Sequence, residues 1–120
     1  MKYQADNYFK VYFNRRAQWL DVYLWDVHPN TFYGWAETRW GYFLATWENP
    51  YAGLFGELHF VKSRARVDTV VHEILHAWME WLRATQGTGN VMVINTRQEE
   101  WSVRKADELV RSFYREYNKL

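Results

Sequence analysis

Two histidines and a glutamate in the second half of the chain have the residue types and the spacing of a metal-dependent hydrolytic site. His72 and His76 are four residues apart, so on a helix both imidazoles lie on one face and can bind one metal ion. Glu73 directly follows the first histidine, where its carboxylate can reach a metal-bound water without ligating the metal. Zinc lowers the pKa of such a water, and Glu73 can accept its proton and return one to a leaving amine.

A catalytic zinc usually takes three protein ligands, so this pair of histidines needs a third side chain. The chain has no cysteine and no histidine after His76, so a downstream ligand must be a carboxylate. Glu80 lies roughly 12 Å along the helix from His72, which is too far for one ion, and we expect it to be solvated. The acidic residues of the next predicted helix are Glu99, Glu100, Asp107, Glu108 and Glu116. Glu100, at one end of an apolar helix face, is the expected ligand, with Glu99 as the alternative.

The predicted secondary structure that must position these residues changes near Ser63, from strands before it to helices after it. Residues 1–62 are mainly β, because four segments are rich in aromatic and β-branched residues. The predicted strands are Tyr8–Phe13, Trp19–Trp25, Gly41–Trp47 and Phe55–Val61. Between residues 30 and 39 the pattern fits a short helix as well as a strand.

The second half predicts two helices. Apolar residues recur at helical spacing over residues 67–84, and Gly87 and Gly89 end that helix. A second helix is predicted over residues 97–117, with Asn95 or Thr96 as its N-cap. The expected fold class is therefore α+β: one domain over residues 1–120, with an N-terminal β-sheet packed on the histidine-bearing helix and a C-terminal helix.

Composition narrows the possible partners. The formal net charge is only +1, so no nucleic-acid partner is expected. No apolar run approaches the length of a membrane span, and the first residues lack the apolar run of a signal peptide, so we expect a cytoplasmic protein without a membrane partner. Aromatic residues make up 20% of the chain and are expected mainly to fill the core.

The segment His72-Glu73-Ile74-Leu75-His76, followed by a helix that opens with Glu99-Glu100, resembles the gluzincin group of zinc metallopeptidases. It is most similar to the very small metallopeptidase-like proteins of phage and bacterial genomes. The resemblance covers roughly residues 54–113. It implies a zincin-like fold with a small mixed sheet before the active-site helix, one Zn²⁺ per chain, and hydrolysis of peptide bonds.

In this group an edge strand of the sheet lies along the cleft and pairs with an extended peptide substrate. The matching segment implies an edge strand near residues 55–61. His59 would then face the cleft and help to polarise the scissile carbonyl, or else be a structural histidine. Asp68, four residues before His72, would orient an imidazole or act as an N-terminal helix charge.

Three functions remain open at this point. The first is a zinc-dependent metallopeptidase that acts on a peptide or protein substrate. The second is a zinc-binding interaction or structural module on the same scaffold, without proteolytic activity. The third is a metal hydrolase that acts on a non-peptide bond.

Overall fold

The computed structural model describes residues 5–13, 16–26, 40–86 and 96–120, with the backbone alone for residue 86 and residues 96–102. Four strands precede two helices: β1 (Asn7–Phe13), β2 (Gln18–Trp25), β3 (Gly41–Ala45) and β4 (Gly53–Val61). A 3₁₀ turn at Lys62–Arg64 leads into α1 (Val67–Gln86), and α2 is Thr96–Tyr117. The predicted α+β class is confirmed, and each predicted strand and helix overlaps an observed one. The segment over residues 30–39 lies outside the described residues.

The strands form one mixed sheet in the order β1-β2-β4-β3. β2 pairs in parallel with β4, and the other two pairings are antiparallel. Residues directly opposite each other share a face of the sheet. The row Phe9, Val22, Leu58 and Phe43 therefore faces one side, and the row Tyr8, Tyr23, His59 and Tyr42 faces the other.

The hydrophobic core lies between the first of these faces and the two helices. On α1 the buried residues recur at spacings of three and four, which is the pattern of a helix with one face against a core. They are Val70, Ile74, Ala77, Trp78 and Leu82. On α2 the buried set is Ala106, Leu109 and Phe113, and the Phe113 ring packs edge-on against Phe9 and Phe60.

The prediction that residues 55–61 form the edge strand is wrong. β4 is hydrogen-bonded on both sides, in parallel to β2 and antiparallel to β3. Its residues Phe55, Leu58 and Phe60 are fully buried, as expected for an internal strand. Among the described strands, β3 is the outermost on the side of α1.

Each helix covers a different part of the sheet. α1 lies against β3 and β4, whereas α2 lies against β1. In the part of the chain that the structure describes, no helix combines the length and the apolar character needed to cross a membrane. The arrangement leaves the outer side of α1 and the neighbouring edge of β3 next to each other.

Candidate metal centre

The imidazoles of His72 and His76 converge on one point outside α1. Their Nε2 atoms are 3.0 Å apart, the ring planes are almost perpendicular at 81°, and both side chains are exposed. Two nitrogens bound tetrahedrally to one zinc, at about 2.0–2.1 Å each, are roughly 3.3 Å apart. The two imidazoles therefore fit a shared zinc ion with a shift of a few tenths of an ångström.

The glycine at the start of β3 lets Glu73 pack against that strand, so Glu73 lies on the β3 side of the histidine pair. A Cβ on Gly41 would lie 2.9 Å from Glu73 Cγ and 2.9 Å from Thr69 Cγ2. These separations are shorter than an ordinary carbon–carbon contact of about 3.5–4.0 Å. Only the missing side chain allows α1 to lie so close to the start of β3, and this contact places Glu73 between the histidines and the strand edge.

The outer edge of β3 offers main-chain groups next to Glu73. Trp40 and Thr46 are hydrogen-bonded to the β4 strand through Val61 N–H to Trp40 O and Thr46 N–H to Phe55 O, each 3.1 Å. Because hydrogen-bonded residues alternate along an antiparallel strand, Tyr42 and Leu44 also face β4 with their main chain. The N–H and C=O groups of Gly41, Phe43 and Ala45 therefore point away from the described sheet.

The structure does not bring His59 to this site, and the cleft role considered for it is wrong. His59 is on the sheet face opposite the helices, and only 2% of it is exposed. Trp25 Nε1 can only donate, so His59 Nδ1 accepts its hydrogen bond at 3.1 Å, and Nε2 carries the proton shared with Glu57 at 2.9 Å. The ring also stacks on Tyr23. His59 is a structural histidine with both nitrogens engaged.

Burial lowers the pKa of His59, although the hydrogen bond and the charge of Glu57 act in the opposite direction. The neutral imidazole is the form that matches its partners, since protonation at Nδ1 would set a second N–H against the Trp25 indole. His59 thus ties β4 to β2 on the far face of the sheet.

The expected third ligands lie at the start of α2. Glu99 and Glu100 fall just after Thr96, where the helix begins, and their side chains lie outside the described residues. Within the described residues, no group of three or more histidine, aspartate or glutamate side chains is arranged to hold a metal. Asp107 pairs with Arg111, and Glu108 pairs with Lys105. The choice of Glu100 over Glu99 stays a prediction.

The two helices run antiparallel, since Trp81 near the end of α1 shares a slot with Lys105 in the first half of α2, whereas the charge of Asp68 at the start of α1 reaches Tyr114 near the end of α2. A narrow slot brings Trp78 and Trp81 of α1 against Lys105 and Leu109 of α2. At 1.5 Å per residue, Glu100 is about 13 Å before Leu109 along its own helix, toward the C-terminal end of α1. The start of α2 therefore lies toward the C-terminal end of α1, and a third ligand from that turn would have to approach the histidine pair from that side.

The flanks of the histidine pair differ in character. An open depression beside His72 is lined by Arg66, Val67, Asp68, Val71, His72 and Leu75. Leu75 and Met79 are 42% and 53% exposed, so this flank presents apolar side chains next to the charged Arg66 and Asp68. Asp68 lies in the first turn of α1 and is exposed, which fits an N-terminal helix charge.

Glu80, on the β3 flank, is not the solvated residue expected from its spacing. Its side chain is 15% exposed, accepts a hydrogen bond of 3.0 Å from Trp47 Nε1, and pairs with Arg83. The Trp47 ring stacks on the buried Phe55. Glu80 is therefore fixed by a tryptophan that packs on the core, and most of its side chain is shielded from solvent.

Comparison with known proteins adds no relative: no family model, curated protein or solved structure matches this chain. The class of the site therefore rests on its own chemistry and geometry.

Proposed function

We propose that this protein is a zinc-dependent metallopeptidase that hydrolyses peptide bonds. The observation that carries the proposal is the pair of exposed Nε2 atoms of His72 and His76, 3.0 Å apart, with Glu73 between them and a strand edge. A zinc ion held there would act as a Lewis acid and lower the pKa of a coordinated water to about 7. His72, Glu73 and His76 each have a distinct chemical task in such a site.

Glu73 is the proposed general base. Its backbone immediately follows that of His72, and its Cγ packs against Gly41, so its side chain is on the β3 side, where an extended substrate is proposed to lie. It takes a proton from the attacking water and delivers one to the leaving amine. Because it does not ligate the metal, its loss should stop the reaction without emptying the metal site.

A peptide substrate is favoured by the edge of β3, which no other described strand covers. Outward N–H and C=O groups at Gly41, Phe43 and Ala45 can pair with an extended chain, which would then pass Glu73 at Gly41. The substrate strand is therefore proposed along β3, in place of the β4 segment. This geometry favours a peptide over a compact non-peptide substrate.

The proposed zinc site takes His72, His76 and a carboxylate from the start of α2, with Glu100 preferred and Glu99 as the alternative. One protein carboxylate and two imidazoles leave the fourth position for water, as catalytic zinc sites require. The expected stoichiometry is one zinc per chain.

The test is a calorimetric zinc titration of metal-free protein, combined with cleavage of a peptide library followed by mass spectrometry. Wild-type protein should bind one zinc and cleave peptides. His72→Ala should lose zinc, and Glu73→Gln should keep zinc affinity within a few-fold but lose activity. Glu108→Gln, at an exposed carboxylate of α2, is a matched control for the loss of a carboxylate and should behave like wild type.

Each outcome has a separate meaning for the proposal. Wild-type protein that takes up no zinc, or zinc binding that survives His72→Ala, would contradict the metal centre. Zinc binding without cleavage of any peptide would contradict the peptidase. The pair Glu100→Gln and Glu99→Gln identifies the third ligand, since only the true ligand should weaken zinc binding strongly.

A second candidate is a zinc-binding interaction module. The exposed Leu75 and Met79 beside the histidines favour it, because exposed apolar side chains next to a metal site can serve as a docking surface. This function predicts that Glu73→Gln is silent in every assay, including binding of the partner. Loss of peptide cleavage in Glu73→Gln would exclude it.

A further inference from the structure

The exposed side of α1 continues beyond the histidines to an arginine. Met79 is three residues after His76 and Arg83 is seven, so the three side chains lie on one side of the helix. Seven residues correspond to two turns, or about 10.5 Å. The Arg83 side chain is 67% exposed, so its guanidinium lies at the surface in line with the metal centre.

Residues on its core side hold the Arg83 side chain in place. Its guanidinium pairs with Glu80, and the Glu80 carboxylate is in turn fixed by the Trp47 indole, which stacks on Phe55 at a ring separation of 6.3 Å. A guanidinium has five N–H donors, and one carboxylate satisfies at most two of them in a bidentate pair. The remaining donors are available to a second carboxylate.

The edge strand and α1 run in the same direction past these groups. Gly41 lies beside Glu73 at one end, and Trp47, two residues past β3, reaches Glu80 at the other. An extended peptide on the β3 edge advances about 3.4 Å per residue, so 10.5 Å corresponds to about three residues. If the peptide pairs antiparallel, which is the more stable arrangement, its N-terminal part lies toward Arg83.

We propose that Arg83 is a specificity-determining residue that binds an acidic side chain about three residues N-terminal to the scissile bond. The inference rests on the proposed function, because it takes the histidine pair as the position of the reacting carbonyl. It assigns the substrate class as peptides with an Asp or Glu at that position. Glu80 tunes the site by competing for the same guanidinium.

The test measures binding rather than turnover, with the zinc-loaded Glu73→Gln protein and fluorescent alanine-rich peptides. Each peptide carries one Glu or one Lys, moved through successive positions. We expect one position at which Glu binds about tenfold more tightly than Lys, the size of one charge-assisted hydrogen bond. Arg83→Glu should reverse this preference, and the neutral Arg83→Gln should abolish it.

Two further variants test whether the preference for Glu comes from the Arg83 guanidinium itself or from the overall charge of the protein surface. Glu80→Gln keeps an oxygen acceptor for the Trp47 indole but removes the competing charge, so it should increase the preference for Glu. Arg111→Glu makes the same charge change on α2 and should leave the preference unchanged.

Equal binding of the Glu and Lys peptides, no measurable binding of any peptide, or equal effects of Arg83→Glu and Arg111→Glu would each overturn the inference. Failure of the proposed function has a different signature: the Glu73→Gln protein would show the preference, while wild-type protein would leave the preferred peptide uncut.

Discussion

Replacement of Gly41 by alanine tests whether close packing at the start of β3 positions Glu73, the proposed general base. The added Cβ would meet Glu73 Cγ and Thr69 Cγ2 at 2.9 Å, and Phe60 Cδ1 at 3.1 Å. Because ordinary carbon contacts begin near 3.5 Å, the side chains of Glu73 and Thr69, or the backbones that carry them, must shift by about 0.6–1 Å. Overpacking of this kind costs about 1–3 kcal/mol of unfolding free energy.

The same shift should affect catalysis more strongly than it affects the free energy of unfolding. A displacement of about 1 Å at a catalytic group can cost about 100-fold in rate, so kcat/KM should fall by about 10- to 100-fold. Zinc affinity should change less than about threefold, because the two histidines lie on α1 itself and move together with it. The assay combines steady-state cleavage of the best library peptide, calorimetric zinc titration and thermal unfolding.

Gly53→Ala provides the control. Gly53 has φ of +85° and nothing within 4 Å of an added Cβ, so alanine there should cost roughly 1–2 kcal/mol in backbone strain without moving Glu73. It should therefore lose stability comparable to Gly41→Ala and keep wild-type kcat/KM. The reasoning is refuted if Gly41→Ala folds and retains full activity, or if both glycine variants lose activity equally.

Other substitutions test the core and the far face of the sheet. Burial lowers the pKa of His59 below its ordinary value of about 6.5, so the unfolded chain binds the proton more readily than the folded chain. Metal-free protein should therefore lose stability as the pH falls below about 6.5. Denaturant unfolding of His59→Phe should show a weaker dependence on pH. Phe113→Ala, at a fully buried ring, should cost about 3–5 kcal/mol, whereas Val103→Ala, at an exposed position, should change the unfolding free energy by less than about 0.5 kcal/mol. Trp47→Phe keeps a ring over Phe55 but removes the donor to Glu80, and should cost about 1–2 kcal/mol in the same unfolding assay.

The sequence was most informative where its periodicity is strong. The helical spacing of Val71, Ile74 and Leu82 predicts α1, and segments rich in aromatic and β-branched residues predict all four strands within two residues at each end. These signals are local, because each depends on which face of one element is buried. They do not depend on how the elements are ordered.

The order of the strands could not be predicted in the same way. Pairing of β2 with β4 joins segments that are separated by the whole of β3, and nothing in either strand specifies which neighbour it takes. The family resemblance implies that the segment containing His59 is the edge strand, whereas β3 occupies that position among the described strands. Glu57 and His59 flank Leu58, so the segment lacks the continuous apolar run that would mark an internal strand.

The histidine pair and the packing around it illustrate the same limit. The spacing of His72 and His76 is a property of one helix, so their convergence follows directly from the sequence. The close approach of Gly41 to Glu73, and the indole of Trp47 on Glu80, join residues more than 30 positions apart. Such contacts depend on the strand order and could not be read from either segment alone.

The central claim is that His72 and His76 hold a catalytic zinc ion with Glu73 beside it. Crystals of the zinc-loaded protein, measured at wavelengths on either side of the zinc absorption edge, test it most directly. The account predicts one anomalous peak per chain, about 2.0–2.1 Å from the Nε2 atoms of His72 and His76, with one carboxylate and one non-protein oxygen completing the coordination. A peak elsewhere, or a zinc enclosed by four protein ligands, would contradict it.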